Sequence, residues 1–412
     1  MAYRSKFVVA IISAAIAFYA ISGVLFGWTG ANAQQPINDP GAQIRIFESV
    51  LQHIQNDYVD EPDLSKVRNG ALRGLADGLD PYSSYLTADQ VADYRNGGNE
   101  KKVGIGADFS QVSSYLYVVS VVKGSPAYES GIRAGDIIEY VESKATRDIS
   151  LYDAYQLVLG APGTKVKLRV PKQNGQVLNI EVERKAVSMP APAVEVNDGI
   201  AKISLSGVEK GTAEKLRVIL GDLNSKGVKK AIIDLRNVSV GSIEEAVEVA
   251  NLFVGEGKLA HIIGRENKQL KAFAATGDKK VFDGKVSVLI DSTTAGPAEV
   301  IAAAISENKR GDAVGTNTFG AGVVQGLFTL SGGDGYLLTT AKWAGPNAQP
   351  FLTFEREKRG VKPTVEVKRP SANPEEDEDE DAADGQETPE KAPVEGPDLT
   401  LQKAIELMKA AQ

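Results

Sequence analysis

The chain has 412 residues, of which 42% are hydrophobic and 24% are charged, which is enough apolar material for two or three folded domains. It contains no Cys and only two His, which excludes a disulfide scaffold, a Cys-rich zinc site, a cysteine nucleophile and, in practice, a Ser-His-Asp triad. The formal charge of −8 is concentrated, because residues 371–398 hold twelve acidic residues and one Lys. With no basic stripe on the chain, we expect no nucleic-acid partner, and we also expect no metal and no cofactor.

Residues 1–33 are predicted to be an export signal. Arg4 and Lys6 precede an uncharged run at residues 7–28, and Ala31-Asn32-Ala33 supplies the small residues of a signal-peptidase site. The alternative is an uncleaved inner-membrane anchor, since a run of this length can span about 30 Å of hydrocarbon. Both alternatives predict an exported protein of the periplasm or cell envelope.

Residues 40–100 are predicted to form an N-terminal helical domain. Apolar residues at three- and four-residue spacing indicate one helix from Ile44 to Ile54 and a second from Val67 to Leu79, which ends before Asp80-Pro81. A short helix is predicted near residues 88–94. His53, in the first helix, has no second ligand nearby, so we interpret it as a structural residue.

Residues 103–190 switch to the alternating pattern of strands, with a short helix after Ala127 and a second helix at residues 151–159. The run Ser125-Pro126-Ala127 followed by Gly131-Ile132-Arg133-Ala134-Gly135-Asp136 makes this unit resemble a bacterial PDZ domain. The resemblance implies that an extended peptide adds to a sheet edge, and that the backbone of Gly104, Ile105, Gly106 and Ala107 binds its terminal carboxylate. The alternative is a glycine turn that only opens a strand.

Residues 194–368 alternate strands with helices, which predicts an α/β domain. Residues 371–397 include seven consecutive carboxylates and cannot bury a core, so they are predicted to be a disordered, solvated linker. Residues 398–412 are predicted to form an amphipathic helix that docks back on the body.

The order of these blocks resembles that of the carboxyl-terminal processing (tail-specific) serine peptidases, from about residue 44 to residue 412. The resemblance implies a multidomain α/β fold with an N-terminal helical segment, a β-barrel-like PDZ domain and an α/β peptidase core of the ClpP/crotonase-like type. The motifs that carry it are Leu79-Asp80-Pro81-Tyr82-Ser83, Ile233-Asp234-Leu235-Arg236-Asn237, Val288-Leu289-Ile290-Asp291 with Ala295 and Glu299, Thr318-Phe319-Gly320, Leu338-Thr339-Thr340-Ala341-Lys342, Gly360-Val361-Lys362-Pro363 and Asp398 with Leu401 and Ala404.

In that family a Ser at a helix start is deprotonated by a Lys about twenty-five residues later, with a Gln nearby. Here the Ser position holds Gly296 and the Lys position holds Ala321, and only Gln325 matches. The residue after the nucleophile, which commonly gives an oxyanion N–H, is Pro297, and the glycine pair that follows Asn237 in the family is reduced to Gly241.

The sequence therefore predicts a pseudo-peptidase that binds unfolded or C-terminal protein segments through its PDZ domain, as an adaptor, a scaffold or the partner of an active relative. One alternative is an active serine endopeptidase with a rearranged site, and another is an envelope component that has also lost peptide binding. For a rearranged site, the candidate hydroxyls are those of Ser292, Thr293 and Thr294, and the candidate amines are Lys309 and Lys342. We interpret the hydroxyls as turn caps, the amines as solvated and His261 as structural.

Overall fold

The computed structural model describes residues 39–98, 102–172, 175–367 and 397–410. The predicted signal or anchor at residues 1–33 lies outside the described residues, as does nearly all of the acidic linker. Within the described ranges, no helix combines the length and the apolar character needed to span a membrane. The chain divides into two compact units, one ending at Gly70 and the other beginning at Ala71.

The first unit contains helix α1 (Pro40–Asp57) and the start of helix α2 (Leu64–Asp77). Asp39 caps α1, because its carboxylate accepts hydrogen bonds from the N–H groups of Gly41 and Ala42 at 3.2 and 3.1 Å. Both helices were predicted from apolar spacing. The side chains of Ile44 and Phe47 in α1 are nevertheless exposed to solvent, by 64% and 44%.

The second unit opens with strand β1 (Ser84–Leu86) and helix α3 (Ala88–Arg95), and then forms the PDZ-like body. One small sheet of that body has the order β2-β3-β4 and another the order β6-β5-β7-β8, with antiparallel neighbours throughout. Their side chains and those of helix α5 share one hydrophobic core. The elements are β2 (Ala107–Val112), β3 (Tyr115–Val121), α4 (Pro126–Glu129), β4 (Ile137–Ile138), β5 (Tyr140–Val141), β6 (Lys144–Ala145), α5 (Leu151–Val158), β7 (Lys165–Pro171) and β8 (Val177–Glu183).

The α/β body is built on a six-stranded sheet of order β18-β15-β14-β11-β10-β9, in which only the edge strand β9 runs antiparallel to its neighbour. A second sheet has the order β1-β17-β12-β13, with β16 also pairing with β17. The elements are β9 (Ala193–Asn197), β10 (Ile200–Ser204), α6 (Thr212–Ser225), β11 (Lys230–Asp234), α7 (Ile243–Asn251), β12 (Lys258–Ile263), β13 (Gln269–Ala274), β14 (Lys285–Ile290), α8 (Pro297–Glu307), β15 (Gly311–Gly315), β16 (Val323–Thr329), β17 (Gly335–Ala344) and β18 (Val365–Glu366).

The two faces of the six-stranded sheet are buried differently, because successive side chains of a strand point to opposite faces. Ile233 of β11 belongs to the large core with α6, α7 and α8, whereas Ile232 packs on the opposite face against helix α9 (Leu399–Ala410). Arg236 holds the start of α9 through two hydrogen bonds of 2.9 Å to the Asp398 carboxylate. The predicted alternation of strands and helices and the docked C-terminal helix are both present.

Candidate functional site

Gly296, the predicted nucleophile position, lies at the turn between β14 and α8. Its backbone has φ 53° and ψ −111°, a region that favours glycine, in the kind of sharp strand-to-helix turn on which hydrolases expose a nucleophile. A Cβ built on Gly296 meets only the Ser239 carbonyl oxygen at 3.5 Å and the Trp343 ring at 3.8 Å. The turn therefore keeps both the shape and the space for a side chain that the sequence does not supply.

Glu299, in the first turn of α8, connects Gly296 and Ala321, the two positions that lack the family's Ser and Lys. Its fully buried carboxylate accepts hydrogen bonds from the N–H groups of Gly296 at 2.8 Å, Gly320 at 2.8 Å and Ala321 at 2.7 Å, and from the Thr318 hydroxyl. Burial raises the pKa of Glu299 to about 7, although these four hydrogen bonds act to lower it. The helix start and the loop that carries Ala321 are thus fixed to one side chain.

The space beside these positions is apolar. Ala295 forms a buried cluster with Tyr117 and Val119 of the PDZ strand β3, and Ala321 and Phe319 pack against that cluster. The Tyr117 and Phe319 rings stack with centroids 5.9 Å apart. A basic side chain at position 321 would be desolvated here, but the residue present has no titratable group.

A cavity of about 330 Å³ joins this region to the PDZ body. Ala321, Gln325 and Ser239 line it from the α/β body, and Phe109 and Tyr155 line it from the PDZ body. Gln325, the one matching family position, donates from its side-chain nitrogen to the backbone carbonyl oxygen of Tyr82 at 2.7 Å. Gln325 thus reaches the cavity wall, but its amide is bonded to the backbone.

The predicted oxyanion region has lost its donor at Pro297, because a proline nitrogen carries no hydrogen. Gly241 forms a parallel bridge with Val208, whose N–H donates to the Val240 carbonyl oxygen at 2.8 Å. From the same loop, Ser239 lines the cavity. The structure therefore places Gly241 in a backbone contact that supports the loop.

The hydroxyls just before Gly296 serve the turn. Thr294 is fully buried, and its hydroxyl donates to the Leu235 carbonyl oxygen at 3.0 Å and accepts from the Asp291 N–H at 3.1 Å. The Thr293 hydroxyl accepts from the Asn237 N–H at 2.6 Å. These contacts agree with the interpretation of Thr293 and Thr294 as turn caps, and Ser292 belongs to the same turn.

The remaining candidate bases lie on other parts of the fold. Lys309 follows the C-terminal end of α8, at the opposite end of that helix from Gly296. The Lys342 amine lies 5.3 Å from the centre of the Phe354 ring. His261 is buried on β12, with its Nε2 3.2 Å from the Pro346 carbonyl oxygen, and the His53 ring contacts Asp57 on α1.

The predicted carboxylate-binding segment, Gly104 to Ala107, forms the loop that leads into β2. Its carbonyls face inward, since the Ile105 oxygen accepts from the Ala127 N–H and the Gly106 oxygen from the Val122 N–H, both at 2.9 Å. Ile105 is buried in the PDZ core. Within the described ranges, the N–H groups of Ile105 and Gly106 donate to no other residue.

Sequence reasoning missed the contacts made by Tyr155 of α5. Its hydroxyl oxygen lies 3.0 Å from the backbone nitrogen of Phe109 on β2 and 3.2 Å from the carbonyl oxygen of the same residue. The hydroxyl also bonds to the Asp108 carboxylate, whose second oxygen accepts from the Ser239 hydroxyl at 2.6 Å. The sequence contains one indication of these contacts, which is a tyrosine on the face of the helix that turns toward the PDZ core.

The PDZ body is bonded to the loop after β11. The Asn237 side-chain amide accepts from the Val121 N–H at 2.9 Å and donates to the Val121 carbonyl oxygen at 2.8 Å. The Ser120 and Ser239 hydroxyls lie 2.6 Å apart. The C-terminal end of β3 is therefore held by side chains of the α/β body.

Comparison with known proteins identifies both bodies. Residues 199–367 match the model of peptidase family S41, and residues 117–171 match a PDZ domain. The carboxy-terminal processing protease CtpA of Bacillus subtilis (strain 168) is 30% identical over 369 residues, which cover 88% of this chain and 77% of that protein. A probable CtpA-like serine protease of Staphylococcus aureus (strain MSSA476) is 28% identical over 80% of this chain and 66% of its own length.

Among solved structures, the photosystem II D1 C-terminal processing protease superposes with a TM-score of 0.65 at 24% identity, over 78% of this chain and 86% of that one. The predicted fold class, an N-terminal helical segment followed by a PDZ domain and an α/β peptidase core, is confirmed by these matches. On the extent of its similarity to the Bacillus relative, the chain belongs to the carboxy-terminal processing protease family, peptidase family S41.

Proposed function

We propose that this protein is an exported pseudo-peptidase, which binds the C-terminal or unfolded segments of other proteins through its PDZ domain and does not cleave them. The observation that carries the proposal is the Glu299 carboxylate, which holds the backbone of Gly296 and of Ala321 together where neither residue has a reactive side chain. The turn and the loop that carry the family's catalytic positions are kept, but the Ser and Lys side chains of those positions are absent.

The chemistry of peptide cleavage by this route needs two groups that meet. A hydroxyl must attack the scissile carbonyl, and a base must take its proton at hydrogen-bond distance. Gly296 offers no hydroxyl and Ala321 offers no amine, while the nearby Thr294 hydroxyl is buried and engaged with the Leu235 carbonyl. The missing N–H at Pro297 removes one donor for the charge that develops on the carbonyl oxygen.

Peptide binding needs a sheet edge and donors for a carboxylate, and both remain. The loop from Gly104 to Ala107 leads into the edge strand β2, and the N–H groups of Ile105 and Gly106 make no bond to a described residue. The cavity that Ala321 lines also borders Phe109 of β2, so a segment added along β2 would lie beside it. Such a protein suits the role of an adaptor or scaffold, or of a partner to an active relative, and residues 7–28 support export.

Incubation of the purified protein with an unfolded protein that ends in apolar residues tests the proposal. We expect binding without new fragments in mass spectra, and no covalent labelling by a fluorophosphonate probe. A Thr294→Ala variant serves as the matched control, because it removes the hydroxyl closest in sequence to the nucleophile position. Cleavage by the unmodified protein that disappears in this variant would establish an active, rearranged site instead.

A further inference from the structure

The outer edge of β2, where a peptide would add as a strand, already has an occupant in this structure. An added antiparallel strand bonds to the N–H and the carbonyl of the same residue on its neighbour. At Phe109 both groups lie within hydrogen-bond distance of the Tyr155 hydroxyl, at 3.0 and 3.2 Å. One phenol therefore stands where the backbone of a bound peptide would bond.

We propose that Tyr155 is a built-in competitor for the peptide groove, and that an apolar C-terminal peptide must displace its hydroxyl from Phe109 in order to bind. The inference rests on the proposed function, since it concerns the regulation of the same groove. In the resting state of this chain the Tyr155 hydroxyl occupies the groove. The affinity for a C-terminal peptide is then reduced by the free energy needed to move this one side chain.

Contacts on both sides of the phenol hold it in this place. Its ring meets the Phe109 ring edge-on, with centroids 5.6 Å apart, and it packs against the PDZ core. The Asp108 carboxylate accepts a hydrogen bond from the hydroxyl and is itself fixed from the α/β body by the Ser239 hydroxyl at 2.6 Å. The competitor is thus positioned by groups that a peptide on the β2 edge does not need.

The protonation state of the phenol suits this role. Burial, together with the charge of the neighbouring Asp108, holds the pKa of Tyr155 well above its ordinary value. The hydroxyl therefore keeps its proton across the physiological range. It remains an acceptor for the Phe109 N–H, and its single hydrogen is shared between the Asp108 carboxylate and the more distant Phe109 carbonyl.

Removal of the hydroxyl alone is the direct test. In Tyr155→Phe the ring contacts remain, while the Phe109 N–H and carbonyl are released. We expect the variant to bind fluorescein-labelled decapeptides that end in three apolar residues about tenfold more tightly than the unmodified protein, since two modest hydrogen bonds no longer have to be broken. The Phe109 amide should also exchange its hydrogen faster in the absence of peptide.

Tyr140→Phe is the matched control, because Tyr140 lies on β5 of the same PDZ body and outside the cavity, and its hydroxyl bonds to no described residue. Its affinity should equal that of the unmodified protein, and peptides with an amidated C-terminus should bind weakly to all three proteins. Equal or weaker binding by Tyr155→Phe, with peptide binding otherwise intact, overturns the inference and leaves the proposed function standing. Binding of no peptide by any of the three proteins overturns both.

Discussion

Restoring the missing side chains tests whether the frame around Gly296 is still that of a peptidase. The change is Gly296→Ser together with Ala321→Lys, made with and without Pro297→Ala. The structure has room for the serine, because a Cβ at Gly296 meets its nearest neighbours at 3.5 and 3.8 Å. A side chain at φ 53° costs about 1–3 kcal/mol of backbone strain, which a domain of ordinary stability, about 5–15 kcal/mol, can carry.

The environment of Ala321 favours a working base. The position packs against the apolar cluster of Tyr117 and Val119 and borders the cavity of about 330 Å³, so a lysine chain has space and its amine is poorly hydrated. Poor hydration lowers the pKa of a lysine, which lets it accept the serine proton near neutral pH. We therefore expect the double variant to be labelled by a fluorophosphonate at position 296.

The third change, Pro297→Ala, determines how much faster the triple variant should cleave than the double variant. Pro297→Ala returns one N–H to the oxyanion region, and a single such donor is worth about 10²–10³ in kcat. We expect no cleavage by the unmodified protein, slow cleavage by the double variant, and cleavage by the triple variant that is faster by about this factor. The assay follows fragments of an unfolded protein with an apolar C-terminus, with thermal unfolding of each variant as a check on folding. A folded triple variant that is neither labelled nor active would refute the claim that the frame is intact.

Two further predictions concern stability and the PDZ loop. The folded protein keeps the Glu299 proton up to about pH 7, whereas the unfolded chain releases it near pH 4.5. Between these values the unfolded state binds fewer protons, so the free energy of unfolding falls as the pH rises, by on the order of 3 kcal/mol. Glu299→Gln should flatten this decline in urea unfolding at a series of pH values, whereas Glu248→Gln, in an exposed ion pair, should keep it. Gly106→Ala places a Cβ 2.3 Å from that of Ser125 and should weaken peptide binding and lower the stability by about 2 kcal/mol or more. Gly124→Ala, at a similar φ of 78° but in open space, should cost about 1 kcal/mol and leave binding intact; equal effects would contradict the steric argument.

The sequence predicted those elements whose identity follows from local chemistry. Pro297 at a first helical turn, after the apolar strand that ends at Ile290, located β14 and α8 within a residue or two. The family resemblance assigned Gly296 and Ala321 to one site, and in the structure Glu299 bonds to the backbone of both. The sequence does contain a signal for the role of Glu299. A glutamate inside an otherwise apolar helix must find buried hydrogen-bond donors.

Other features depend on tertiary geometry that periodicity does not carry. The bond between Phe109 and Tyr155 joins residues 46 positions apart, through the angle at which α5 lies against β2. The hydrogen bonds between Asn237 and Val121 join residues 116 positions apart in the sequence. The apolar spacing of α1 correctly predicted a helix, but it gave no indication that Ile44 and Phe47 would be exposed.

The docked C-terminal helix changes the character of the acidic segment. Strand β18 pairs with β15 just before residue 368, and Asp398 is bound by Arg236 just after residue 396, so both ends of the intervening chain are fixed to the same α/β body. The described residues on either side of the acidic segment are therefore both anchored to the α/β body, by the pairing of β15 with β18 on one side and by the Arg236–Asp398 ion pair on the other. If α9 detached, β18 would stay paired in the sheet, so α9 docks as an intramolecular ligand at a high effective concentration.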